Sequence, residues 1–133
     1  MANVARIVSL LLLSGCLPTA PLEEGGVATW ALAPDAAIGP DTTEFTAMVT
    51  ERACASGQTS AGRVIGPSVQ STDEAVTVTF RVRPLPGAQE CPGNPPTPVL
   101  VRLEQPLAGR TLLDGGREPP QEPPLCANPQ SCE

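Results

Sequence analysis

The side chains of this chain that could do chemistry are five cysteines, fourteen acids and eight arginines, together with its serine and threonine hydroxyls. It contains no histidine, no lysine and no tyrosine. Ser-His-Asp, Cys-His and Ser-Lys catalysis therefore cannot be assembled within the chain, and neither can a Schiff base or a histidine metal site. One tryptophan, Trp30, and two phenylalanines are too few for a platform that stacks sugars or bases. Asp35, Asp41 and Glu44 lack the alternating Asp/Asn spacing of a calcium loop and read as solvated acids. A carboxylate-pair hydrolase needs two acids facing each other across a substrate cleft. No enzyme activity and no cofactor is expected.

Cys16 stands apart from the other cysteines. Residues 1–6 carry one arginine, Arg6, and no acid, and residues 7–13 form a seven-residue apolar run. Ser14-Gly15 then supplies small residues just before Cys16. This is the layout of a secretory signal. A membrane-spanning helix would need about 20 apolar residues, and this run stops at Gly15 and Pro18. Leu13-Ser14-Gly15-Cys16 resembles the lipobox of bacterial lipoproteins at every position. The resemblance implies removal of residues 1–15, a lipid on Cys16, and a cell-envelope location, anchored to a membrane and facing outside the cytoplasm. Two or more acyl chains hold a protein on a membrane stably where one does not.

Export changes how Cys54, Cys91, Cys126 and Cys132 read. An even set in an oxidising compartment is expected to form two disulfides, with three possible connectivities. The favoured pairing is Cys54–Cys91, stapling a strand end to a proline loop, and Cys126–Cys132, closing a small ring. A zinc site built from four cysteines would place them in pairs two to four residues apart, and neither pair does so.

Loss of residues 1–15 removes Arg6 and leaves seven arginines against fourteen acids, a net charge of −7. That balance argues against nucleic acid, whose affinity comes mostly from neutralised phosphates. It also argues against an electrostatic grip on anionic lipid, leaving the acyl chains as the anchor.

The remaining candidates depend on how the chain is organised. Residues 16–43 mix Pro, Ala, Gly and acids with no sustained period and read as a lipidated tether. Its 27 residues after Cys16 would span roughly 30 Å as a coil. Trp30, Leu32 and Ile38 offer an alternative in which this stretch docks as an edge strand. Residues 44–116 read as the folded domain. Val76, Val78, Phe80 and Val82 alternate strictly with Thr77, Thr79, Arg81 and Arg83, the pattern of a half-buried strand. Residues 63–72, interrupted by Gly66-Pro67, pair with it as a hairpin across an acidic turn at Asp73-Glu74. Further strands are expected at residues 44–52, 99–104 and 111–113, with a proline-rich loop at 84–98. Residues 117–133 read as a Pro-rich tail containing two cysteines. The fold class is therefore all-β, a small antiparallel sheet or sandwich stapled by disulfides, with irregular Pro-rich flanks.

Within that fold, Arg81 and Arg83 leave the polar face of the best strand. With Arg102 they would make a ligand or partner patch for carboxylate or phosphate. Cross-strand pairing with Glu104 or Glu51 is the simpler use of these arginines. Residues 91–99, with 106–107, 110–116 and 54–57, resemble small secreted or lipid-anchored bacterial proteins with no assigned activity. The expected function is a non-catalytic interaction or structural module at the envelope, with a possible protein partner there. The alternative is a carrier of small molecules or lipid, which would require an apolar cavity.

Overall fold

The computed structural model describes residues 25–132, and every regular element in it is a β-strand. The expected signal segment, the expected lipidation site Cys16 and residues 17–24 lie outside the described residues. The strands are β1 (Gly26–Leu32), β2 (Glu44–Thr50), β3 (Val64–Ser71), β4 (Ala75–Val82), β5 (Thr97–Arg102) and β6 (Thr111–Asp114). They form one curled sheet in the order β3-β4-β1-β2-β5, and β6 pairs with β4 off that path. All pairings along the path are antiparallel, while β6 runs parallel to β4.

β4 is the strand with strict alternation in the sequence, and the burial follows it. Val76, Val78, Phe80 and Val82 are each at most 2% exposed, while the residues between them face out. Pairing carries that face across the sheet, because directly opposed residues share a face. Val101 opposes Phe45 and Val99 opposes Ala47, all turned to the same interior. The two halves of the sheet meet around Trp30, which stacks on Phe45 at 5.6 Å and meets Phe80 edge-on at 6.3 Å between ring centroids.

Trp30 belongs to β1, and this corrects the tether reading. Residues 26–28 pair with Phe80, Arg81 and Val82 of β4, and residues 29–32 pair with residues 47–50 of β2. One short strand thus hands over between the two halves, at the centre of the sheet and not at its edge. The sequence shows no alternation there because β1 is covered on both faces. Ala28 and Trp30 face the main core, and Ala31 packs in a second small cluster with Ala33, Met48 and Cys126.

Cys126 comes from the tail, which also belongs to the folded unit. The Leu32 amide donates to Pro124 O at 2.7 Å, Cys126 N donates to Leu32 O at 2.9 Å, and Asp114 N donates to Gln121 O at 2.7 Å. The folded unit is therefore longer at both ends than residues 44–116. Both expected disulfides are present, Cys54–Cys91 and Cys126–Cys132.

The antiparallel order gives the molecule two ends. β1, β3 and β5 begin at one of them, here the amino end, with loops 51–63 and 83–96. Loops 33–43, 72–74 and 103–110 lie at the far end.

Candidate functional site

The sheet is open between its two outer strands. β3 pairs only with β4 and β5 only with β2, so each has a free edge. The Thr72 amide donates to Ala75 O, so the hydrogen-bonded pairs alternate from there. That alternation turns the backbone of Val69 and Ser71 outward. By the same reasoning from the Leu103–Thr43 hydrogen bond, Leu100 and Arg102 present their backbone groups at the β5 edge. Each edge is blunted by a proline, Pro67 at the β3 bulge and Pro98 in β5, which have no N–H to offer another strand.

At the far end these edges border a cleft of about 510 Å³. Pro67, Val69 and Ser71 line one side, and Val76 lies at its floor. Arg102, Leu103, Glu104, Gln105 and Arg110 close the other side. Val69 is 41% exposed although it shares the inner face of the sheet with Val78, because no strand covers it. Arg110 is held in place by its own turn, donating from Nε to Leu107 O at 2.9 Å and from Nη2 to Pro106 O at 2.8 Å. The cleft combines unpaired backbone groups, a few apolar side chains, one carboxylate and two guanidinium groups, which suits binding.

The expected arginine patch is not assembled. Arg81 and Arg83 lie at the amino end on and just beyond β4, while Arg102 ends β5 at the far end. The reason is strand order, because β1 and β2 stand between β4 and β5. Arg102 pairs with Glu44 at 2.8 Å on an exposed surface, not with Glu104 or Glu51. Arg81 donates from Nη1 to Gly25 O at 3.0 Å. Asp35, Asp41 and Glu44 are not gathered, and among the described residues no group of three or more acids or cysteines is placed to hold a metal ion.

Two buried charged groups have roles the sequence reading did not give them: Glu51 pairs with Arg63 instead of Arg81, Arg83 or Arg102, and Asp114 was read as part of a turn. Glu51, 4% exposed, receives two bonds from Arg63, at 2.9 Å from Nη1 and 2.6 Å from Nη2. These bonds raise the Arg63 pKa, burial working in the opposite direction. The same guanidinium also donates to Arg83 O and Thr59 O, tying loop 51–63 to the end of β4. Asp114 is fully buried at the hand-over in β1. Its Oδ2 accepts from Trp30 N at 3.1 Å and its Oδ1 from Gly116 N at 2.8 Å. Arg117 Nε lies 3.3 Å from Oδ2 as an ion contact without hydrogen-bond alignment. Burial raises the Asp114 pKa above the ordinary carboxylate value, against the lowering effect of the two amides and Arg117. The only sequence signal was an acid directly after Leu112-Leu113, and Asp-Gly-Gly reads equally well as a plain turn.

Compared with family models, curated proteins and solved structures, the chain matches none. Two disulfides fit an oxidising compartment outside the cytoplasm. Among the described residues no helix is long and apolar enough to cross a membrane.

Proposed function

We propose that this chain is a lipid-anchored envelope protein whose β-domain works by presenting a surface to a protein partner, without catalysis. The observation that supports this reading is the cleft between two unpaired strand edges. Main-chain donors and acceptors beside alternating side-chain positions are what an extended partner segment uses when it adds to a sheet. The carrier reading has less support, because the interior is filled by Trp30, Phe45, Phe80 and the valines around them.

The reading has two parts and two tests. Cells fed a fatty-acid probe are expected to label the wild-type chain and not a Cys16→Ala variant, and equal labelling would sink the anchor. A photo-crosslinking side chain at Val69 or Leu100 is expected to give a discrete protein adduct in intact cells, absent when it is placed at Gln58 on the amino end. Indistinguishable adducts at all three positions would remove the cleft from the argument.

A further inference from the structure

The arginines are not spread evenly over the molecule. Arg52, Arg63, Arg81 and Arg83 all lie at the amino end, where the acids of loops 51–63 and 83–96 are Glu51 and Glu90, the tail acids Glu118 and Glu122 belonging to neither set of loops. Arg63 and Glu51 neutralise each other, which leaves exposed Arg52, Arg81 and Arg83 against Glu90. At the far end Asp35, Asp41, Asp73, Glu74 and Glu104 outnumber Arg110 once Arg102 is paired with Glu44. Loops 53–62 and 84–96 add no further charge beyond Glu90, and Leu85 lies among their prolines. The chain comes in at this same end, and Arg81 touches its first described residue, Gly25.

We infer that the amino end docks on an anionic lipid headgroup surface and so turns the cleft away from the membrane. This inference rests on the lipid anchor at Cys16. The nine steps from Cys16 to Gly25 span at most ~32 Å even when fully extended, from 3.3–3.6 Å per residue, so the anchor keeps this end close to the lipid. The net charge of −7 is the wrong measure at that range. Charges more than a Debye length away, about 8 Å at physiological salt, are largely screened, so the far-end acids contribute little. The arginines nearest the headgroups dominate, each multiplying the ratio of docked to undocked molecules by roughly fivefold. Glu23 and Glu24 on the connecting segment oppose docking, which makes them the complementary test.

The experiment uses the lipidated chain in vesicles of phosphatidylcholine alone and of an equal mixture with phosphatidylglycerol. Flotation with the first kind tests the anchor by itself, since no charge assists there. On the anionic vesicles, deuterium uptake by residues 53–62 and 84–96 is expected to slow relative to phosphatidylcholine, while 33–43 and 103–110 stay unchanged. The difference disappears at ~1 M salt, where the Debye length is about 3 Å. Arg81→Gln with Arg83→Gln should cut the docked ratio about 25-fold at the fivefold per arginine above, and Glu23→Gln with Glu24→Gln should raise it. A chain that floats yet exchanges equally on both vesicles, or is protected at the far end, overturns the docking and leaves the anchor standing. A chain that fails to float overturns the anchor.

Discussion

Removing the Asp114 carboxylate should destabilise the domain more than any surface change, and the structure allows the size to be worked out. Asp114 supplies the acceptors for two buried amides, those of Trp30 and Gly116. A buried donor left without a partner costs about 1–3 kcal/mol. Asp114→Ala orphans both and leaves a void, so the expected loss is about 3–5 kcal/mol, the range found when one member of a buried pair is deleted. Asp114→Asn keeps one acceptor but turns an NH2 toward the other amide, so it should cost about 1–3 kcal/mol. Part of that loss is offset, because the amide escapes the desolvation that raises the Asp114 pKa.

The assay is urea unfolding followed by the fluorescence of Trp30, the only tryptophan, whose backbone amide is one of the affected donors. With a slope of about 1 kcal/mol per molar, near the low end for small domains, Asp114→Ala should lower the midpoint by several molar. The pH dependence gives a second check. A carboxyl whose folded pKa is raised contributes most stability below its unfolded value of about 3.9, and loses it as pH rises through the folded value. Other carboxylates cancel in the difference between wild type and Asp114→Asn, so that difference should be larger at about pH 4 than at pH 7. An Asp114→Ala variant within about 0.5 kcal/mol of wild type, or one more stable than Asp114→Asn, would refute the reasoning.

Glu51→Ala strands Arg63 in a largely buried site and should cost about 3 kcal/mol, whereas Glu44→Ala breaks an exposed pair and should cost at most ~1 kcal/mol, a contrast measurable in the same urea titration. Replacing Cys54 and Cys91 together opens a loop of 37 residues and should lower stability by about 4 kcal/mol. Replacing Cys126 and Cys132, six residues apart, should cost about 2 kcal/mol and raise amide exchange at Leu32 and Cys126 first. A methyl group added at Gly116 would collide with the Ala28 carbonyl oxygen, so Gly116→Ala should cost about 1–3 kcal/mol by thermal melting, while Gly39→Ala, with open space around it, should not.

Local pattern made β4 legible, because one face is solvated and the alternation survives in the sequence. The β3–β4 hairpin, β2, β5 and β6 were readable for related reasons, and of the three connectivities left open by the sequence the favoured one is present. β1 was hidden because its second face is covered by alanines and the tail, and a strand buried on both faces carries no period of two. Its position at the sheet centre and the parallel β4–β6 pairing are non-local facts, which propensity and turn signals do not encode. The arginine reading failed in the same way. Parity along a strand tells which face Arg81, Arg83 and Arg102 occupy, but not that two strands stand between them. The tail was misjudged because prolines erase periodicity whether a segment docks or not.

These hidden features are all parts of one joint. β4 offers the same edge to β1 over residues 80–82 and to β6 over residues 75–78, and the ladder breaks at Thr79 between them. Val78 O accepts from both the Trp30 indole, at 2.9 Å, and Gly115 N, at 2.9 Å, so that the break is bridged from each side. Asp114 accepts from the Trp30 amide, a bond that a neighbouring strand would otherwise make, and the tail completes the edge at Leu32. A side-chain carboxylate can do this where a strand cannot, because the chain must turn at Gly115-Gly116 hard against Ala28. The joint lies at the centre of the strand order, and the free edges of β3 and β5 lie at its two ends. A buried acid with two amides on it thus closes the gap in the ladder where β1 passes from one half of the sheet to the other.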